Sequence, residues 1–194
     1  MRQMNILNGR ALLGGLAVVA LLCVPALRAQ DAAAGARTVQ GLLQIPPSVR
    51  AEHREIHEAL VAATRAPGEV GVAARALAAV LDPHFVREEQ IALPPLGLLA
   101  PLARGERPPA MRAVLPLTDS LRAELPRMLR EHQAIHAATL RLQQVARARR
   151  NAQVERLTDE LLLHARNEEE VMYPAALLVG EVVRAQLPPA NSRR

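Results

Sequence analysis

The chain has 194 residues, half of them apolar, with one Tyr, one Phe and no Trp. This length suits one domain with a buried core, and the abundance of Ala and Leu, both strong helix formers, predicts an all-α protein. The net charge is +5 and falls to +2 without the three arginines of the first 29 residues, so with few aromatic residues the composition excludes an extended nucleic-acid surface.

The first 29 residues are typical of a secretory signal peptide. Arg2 and Arg10 precede an apolar stretch over 11–27, and small residues near Ala29 suit a cleavage site. An uncleaved membrane anchor is the alternative, although the stretch is short for a span of roughly 20 residues and contains Pro25. We therefore expect an extracytoplasmic protein, periplasmic or secreted. Cys23, the single cysteine, would leave with the signal, which excludes disulfide and thiol chemistry.

Helix-start and helix-breaking signals divide the rest of the chain. A flexible leader is expected over 30–48, where Ser48 after two prolines predicts an N-cap, and Asp82-Pro83 is expected to kink or restart the second helix. A proline-rich stretch over 94–117 predicts an irregular connection. The four long helices and one shorter helical piece are predicted at about 49–65, 69–93, 119–149, 152–173 and 175–186.

Four amphipathic helices with modest loops predict an antiparallel up-down-up-down four-helix bundle. The predicted bundle spans residues 49–187. The two prolines at 188–189 end the helical pattern, so a disordered tail is expected over 188–194.

One histidine pattern occurs twice in the chain. HFVREEQIALP, from His84 to Pro94, resembles HARNEEEVMYP, from His164 to Pro174, and EHREIHEA at 52–59 resembles EHQAIHAA at 131–138. The repeated unit is a helical hairpin with HxxxH on its first arm and HxxxEE on its second, and it contains all six histidines. Residues four apart share a helix face, so the pattern predicts four face-sharing pairs. These pairs are His53 with His57, His84 with Glu88, His132 with His136, and His164 with Glu168.

Such pairs on the inner faces would bring six imidazoles and two carboxylates to the bundle centre. An apolar core cannot hold these groups without partners, because an unpaired buried charge is costly. Imidazole nitrogens and carboxylate oxygens suit iron, manganese or zinc. Two octahedral irons offer about twelve positions, of which two bridging carboxylates and a bridging oxide or hydroxide fill six. Five histidines would leave one position open, so His57 or His136 is expected outside the ligand set.

The neighbouring polar and aromatic residues have simpler expected roles. Glu89 and Glu169 are expected to be solvated or to hold the outer nitrogen of a histidine. Phe85 and Tyr173 are expected to pack in the core, because Tyr173 would reach the metals only if its helix bent at Pro174.

Together these elements resemble the hemerythrins and the wider hemerythrin-like (HHE) cation-binding proteins. The resemblance covers EH at 52–53, HFVREE at 84–89, EH at 131–132 and HARNEEEVMYP at 164–174. It implies a bundle around two non-haem iron ions, oxo- or hydroxo-bridged, with manganese or zinc as alternatives. The metal ligands that it implies are His53, His84, Glu88, His132, His136, His164 and Glu168, with His57 and Glu169 as further candidates.

One departure from the hemerythrins bears on function. Oxygen-carrying hemerythrins place an aspartate five residues after the last histidine, whereas this chain has Glu168 and Glu169 at the fourth and fifth positions. The resemblance is therefore to the HHE group with HxxxE twice, which includes iron-sensing and iron-centre repair proteins, and it weakens a role in reversible oxygen carriage. A ferritin-like site needs Glu-x-x-His spacing, which is absent here.

The expected function is a di-iron protein that binds dioxygen, nitric oxide or peroxide for sensing, scavenging or carriage outside the cytoplasm. Two alternatives use the same metals. One is a peroxidase or oxidase that turns peroxide over, and the other is an iron-handling or metal-sensing protein. The expected partner is a small ligand and not a nucleic acid.

Overall fold

The structure is a computed structural model that describes residues 41–186. The expected signal peptide over 1–29 and the tail over 188–194 lie outside the described residues, as do residues 30–40 of the expected leader. Between residues 41 and 186 the chain forms helices and no strand, which confirms the predicted all-α fold. No helix in this part of the chain combines the length and apolarity that crossing a membrane requires.

Four long helices form the bundle: α1 (Pro47–Thr64), α2 (Gly68–Arg87), α4 (Leu115–Ala148) and α5 (Ala152–Asn167). Two shorter helices are α3 (Leu99–Ala103) and α6 (Tyr173–Gln186). Consecutive long helices pack side by side, and α5 returns to contact α1, so the four close into a ring. Three-residue connections join α1 to α2 and α4 to α5, which makes each pair an antiparallel hairpin, as predicted.

The core lies along the inner stripes of these helices. In α1 the buried residues are His53, Ile56, Leu60 and Ala63, and in α4 they include Met128, His132, Ile135 and Thr139. The spacing of three and four residues is that of one helix face. The stripe therefore steps from each first histidine to an isoleucine three residues later, and not to the histidine four residues later.

The connection over 94–117 is more ordered than expected. It forms two 3-10 turns, Pro94–Leu98 and Pro109–Val114, which flank α3. Leu98, Met111 and Val114 are buried against residues of α6. The connection therefore packs against α6 and stabilises its position.

Two predicted helix starts, at Ser48 and at Pro83, are wrong. α1 begins with Pro47 at its first position, so Pro46 occupies the N-cap and Ser48 does not cap the helix. α2 runs through Pro83 without a restart. The carbonyl that Pro83 leaves without its helical donor belongs to Ala79, an exposed residue, so water can satisfy this group.

Two π-helical turns, Glu88–Ala92 and Glu168–Met172, follow α2 and α5. In each, the backbone N–H of the residue five positions after the glutamate donates to that glutamate's carbonyl. A proline comes two residues after each turn, and a proline cannot donate to the carbonyl four residues before it and crowds that carbonyl. After the second wider turn the chain continues directly into α6, whereas after the first it passes into the 3-10 turn at Pro94.

The π turns change which residues share a face. In an α-helix, a residue five positions after a glutamate lies about 140° around the axis from it. Bonding from residue i to i+5 brings that residue close to the glutamate's own face. Leu93 and Tyr173 are therefore buried on the inner side of the bundle, where an α-helical projection would not place Tyr173.

A close approach between α6 and α4 depends on Gly180. A Cβ at this position would lie 2.7 Å from Cβ of the buried Thr118. The absence of a side chain at Gly180 therefore lets α6 lie directly against α4.

We predict that Gly180→Ala lowers the free energy of unfolding by about 1–3 kcal/mol in urea titrations, because the added methyl overpacks this contact. Gly41→Ala is the matched control, since nothing lies within 4 Å of its added Cβ; it should change stability by less than about 0.5 kcal/mol. Equal unfolding midpoints for the two variants would show that α6 shifts away from α4 at little cost.

Candidate metal centre

Six buried histidine and glutamate side chains meet at the centre of the bundle. Each long helix supplies one histidine, and each π turn supplies one glutamate from its first position. None of the six is more than 3% exposed. They are His53, His84, Glu88, His132, His164 and Glu168.

The carboxylate of Glu88 spans the cluster. Its Oε1 lies 3.3 Å from Nε2 of His84 and 3.9 Å from Nε2 of His132. Its Oε2 lies 3.9 Å from Nε2 of His53, on the other side of the cluster. One oxygen of Glu88 therefore faces each side.

Glu168 also spans the cluster, with contacts to histidines on both sides. Its Oε1 lies 2.9 Å from Nε2 of His164 and 3.3 Å from Nε2 of His53, whereas its Oε2 lies 3.4 Å from Nε2 of His132. The centre thus has a His84–His132 side and a His53–His164 side, with both carboxylates between them. Donor atoms lie within 4.8 Å of one another in two groups. These are His84, Glu88, His132 and Glu168, and His53, His164 and Glu168.

The outer nitrogen of each histidine faces a glutamate. Nδ1 of His84 is 3.0 Å from Glu131, and Nδ1 of His132 is 2.7 Å from Glu169; both pairs are hydrogen bonds. Glu52 lies 3.2 Å from Nδ1 of His164, and Glu89 lies 3.6 Å from Nδ1 of His53, but neither pair forms a hydrogen bond. A carboxylate at Nδ1 holds the proton there and leaves Nε2 as a lone pair facing the centre.

Polar atoms without partners concentrate in this cluster. In the part of the chain that the structure describes, the buried side-chain N and O atoms without a hydrogen bond are Nδ1 of His53, Oε2 of Glu88, and both ring nitrogens of His164. Two of these atoms, Oε2 of Glu88 and Nε2 of His164, face the centre, whereas the two Nδ1 atoms face Glu89 and Glu52. Buried polar atoms are nearly always bonded, so the two unbonded atoms at the centre indicate an additional partner. Four imidazole nitrogens and two carboxylates are a donor set that fits iron, manganese or zinc.

Without a cation, the cluster retains protons. Burial by itself lowers the pKa of His164, but the Glu168 carboxylate, 2.9 Å from its Nε2, outweighs burial and raises the pKa to about 9. Burial also opposes charge on His84 and His132, yet the glutamates next to them raise both pKa values. The two carboxylates diverge. Burial and the charge of Glu168 raise the pKa of Glu88, whereas three histidine contacts overcome burial and lower the pKa of Glu168.

The structure corrects the expectation that Tyr173 only packs. Its hydroxyl lies 3.1 Å from Nε2 of His132 and 3.5 Å from Nε2 of His84, and it donates a hydrogen bond to Glu88. Burial, together with the charges of both carboxylates, raises its pKa, so the metal-free protein keeps this hydroxyl protonated. The π turn brings Tyr173 inward, and no bend at Pro174 is needed.

The structure does not bring His57 and His136 to the centre. Both are exposed, and His57 lies 3.9 Å from Asp82 at the surface. The reason is the drift of the buried stripe, in which Ile56 and Ile135 occupy the inner positions one turn beyond the first histidines. The expected seventh ligand, His136, lines a surface cleft of about 400 Å³ with His132 and Glu169.

A second cleft lies at the equivalent position of the first hairpin. It has a volume of about 470 Å³ and is lined by residues that include His53, His57, Phe85 and Glu89. In both clefts a half-exposed glutamate stands between solvent and a buried histidine, Glu89 at 50% exposure and Glu169 at 44%. Glu169 therefore contacts the outer nitrogen of His132 and is not itself one of the six buried residues at the centre.

Sequence reasoning missed the roles of Glu52 and Glu131. Each directly precedes a histidine of an HxxxH arm, yet each contacts a histidine on the second arm of the other hairpin. Glu52 faces His164, and Glu131 faces His84. Arg87 also holds Glu131, at 2.7 Å. The repeated EH dipeptide was the available signal, but only the packing of the helices shows which ring each glutamate faces.

Comparison with known proteins identifies the family. No curated protein and no solved structure gives a significant match to the chain. The family model described as hemerythrin HHE cation binding domain matches residues 45–176. This range contains both hairpins, all six cluster residues and Tyr173. The chain therefore belongs to the hemerythrin HHE cation-binding domain family, and its buried histidine and glutamate cluster is the candidate cation site.

Proposed function

We propose that the protein binds two iron ions and, at that pair, a small ligand such as dioxygen, nitric oxide or peroxide. The observation that carries this proposal is the arrangement of Glu88 and Glu168, each with one oxygen toward the His84–His132 side and one toward the His53–His164 side. A carboxylate placed in this way suits two cations better than one. Manganese or zinc would fit the same donors.

The number of protein donors supports a small-molecule ligand. Four histidine nitrogens and four carboxylate oxygens supply eight donors, whereas two octahedral ions offer about twelve positions. About four positions therefore remain for solvent-derived or exogenous ligands. When bound, the ions supply a redox-active Lewis acid to which a small molecule can coordinate.

The protein's own residues orient the histidines and exclude bulk water. Glu131 and Glu169 hold the rings of His84 and His132 with Nε2 inward through hydrogen bonds. Glu52 and Glu89 face the outer nitrogens of the other two rings. Two buried clusters of apolar side chains flank the centre. Leu81 and Leu161 belong to one cluster, and Leu93 and Met128 belong to the other. The two clefts bring solvent as far as Glu89 and Glu169, which gives a small ligand a short path inward.

Sensing, scavenging or carriage outside the cytoplasm is the setting that we propose. The support is the apolar stretch over 11–27 behind two arginines, which is typical of a secretory signal. A membrane-anchored form is the alternative reading of the same stretch.

Metal analysis with an absorption spectrum tests the proposed function. The iron-loaded protein should contain two irons per chain and show visible absorption that changes when air is removed and returns when air is readmitted. A colourless protein that holds one zinc would contradict the proposal. Steady-state consumption of peroxide faster than that by free iron would favour the peroxidase or oxidase instead.

A second prediction concerns the glutamates at the outer nitrogens. Glu169→Ala should weaken metal binding by about tenfold, because His132 loses the carboxylate that fixes its tautomer and orientation. Glu170→Ala is the matched control, since it removes the same charge from the next, exposed position. Competition titrations with a chelator measure both affinities, and equal values for the two variants would contradict the role assigned to Glu169.

The third prediction follows from the histidine pKa values. Cations compete with the protons on His164, His84 and His132, whose pKa values are raised in the metal-free protein. Apparent zinc affinity should therefore rise from pH 6 toward about 9, the pKa of His164, by up to about tenfold per pH unit for each proton displaced. Calorimetry in buffers of different ionisation enthalpy counts the released protons. An affinity that does not change across this range would contradict the prediction.

A further inference from the structure

The two hairpins differ at positions that adjoin the centre. His53 corresponds to His132 in the repeat, and His84 with Glu88 corresponds to His164 with Glu168. Five residues after the glutamate, the first hairpin has Leu93 and the second has Tyr173. One residue after the second-arm histidine, the first hairpin has Phe85 and the second has Ala165. The two hairpins therefore differ by the phenol of Tyr173 in the second and the apolar ring of Phe85 in the first.

The phenol oxygen lies among the donor atoms of one side alone. The hydroxyl of Tyr173 is within 3.5 Å of Nε2 of both His84 and His132, and it contacts Oε1 of Glu88, the oxygen that faces the same side. The ring of His132 also stacks on that of Tyr173 with centroids 5.6 Å apart. Tyr173 is 1% exposed, so its oxygen has no access to bulk solvent.

The His53–His164 side has an apolar ring in place of a phenol. Phe85 stacks on His53 with centroids 4.2 Å apart and meets His164 edge-on at 5.8 Å. Leu93, the repeat equivalent of Tyr173, is fully buried and carries no polar side-chain atom. Phe85 therefore packs against this side and supplies no atom that could bind a cation.

We propose that Tyr173 is a protein ligand through its phenol oxygen on the His84–His132 side, which makes the two ion positions unequal. This inference rests on the proposed function. The His84–His132 side then has five donors: two nitrogens, two carboxylate oxygens and the phenol oxygen. The His53–His164 side has four donors, its own two nitrogens and two carboxylate oxygens. The small ligand is thus directed to the His53–His164 side. A cation held by the phenol oxygen would displace its proton. Glu88, which accepts the hydroxyl's hydrogen bond, would receive that proton and release it to solvent as its own oxygen took up the cation.

The variant Tyr173→Phe tests the assignment, because it removes one oxygen and keeps the ring that packs in the core. Iron(III)-loaded protein should show a phenolate-to-iron charge-transfer band in the visible region and enhanced tyrosine ring modes in its resonance Raman spectrum. Tyr173 is the only tyrosine, so the signal has one source. The variant should lose both signals and still hold two irons.

Phe85→Leu is the matched control, since it changes a buried ring beside the centre and removes no oxygen. It should keep the charge-transfer band and the ring modes. Circular dichroism should show native helicity for both variants. A Tyr173→Phe spectrum identical to that of the unmodified protein would overturn the inference and leave the proposed function intact.

Ligand stoichiometry gives a second readout. With an oxide or hydroxide bridge filling one position on each ion, azide, used as the probe, should bind once to the iron-loaded protein and twice to Tyr173→Phe, because loss of the phenol opens a position on the His84–His132 side. In zinc titrations the variant should weaken one of two binding events by at least about tenfold and leave the other unchanged. Equal azide stoichiometry and equal zinc affinities would overturn the assignment, and an unmodified protein without an iron pair would overturn both proposals.

Discussion

The fold of this protein depends on keeping two carboxylates and four imidazoles in the middle of an apolar bundle. Ionised groups in such a core are costly unless each one has a partner. Here Glu88 and Glu168 each face histidines on both sides, and every histidine faces a further glutamate nearer the surface. The core thus has the two carboxylates at its centre, the histidines around them and further glutamates outside. Of the atoms that protein groups leave unbonded, Oε2 of Glu88 and Nε2 of His164 face the centre, where a cation would satisfy them.

The π turns are the local device that converts a repeated motif into this arrangement. Each begins at a cluster glutamate and comes just before a proline, so the helix widens where the backbone can no longer make its regular bonds. The widening carries the residue five positions onward to the inner face. One turn delivers Leu93 and the other delivers Tyr173, so one backbone geometry produces chemically different sides from a nearly symmetric repeat.

The outer glutamates connect the centre to solvent. Glu89 and Glu169 are half-exposed and line two matching clefts, whereas Glu131 is tied to Arg87. The outer nitrogens of the cluster histidines therefore face carboxylates that differ in exposure and in neighbouring charge. Because the partner of Nδ1 sets the basicity of Nε2, the four rings are unequal donors even though the repeat supplies them in pairs.

The sequence by itself determined the helical fold, the two hairpins and the six cluster residues, because those depend on spacing along one helix: residues four apart share a face whatever surrounds them. The same rule placed His57 and His136 inward, where the tertiary structure has Ile56 and Ile135, since helix stripes drift with a period of 3.6 residues and packing chooses between i+3 and i+4. It also projected Tyr173 away from the centre, because a π turn depends on how the helix meets its neighbours and its proline. Only the packed bundle decided which glutamate faces which ring, since those contacts join residues from different helices.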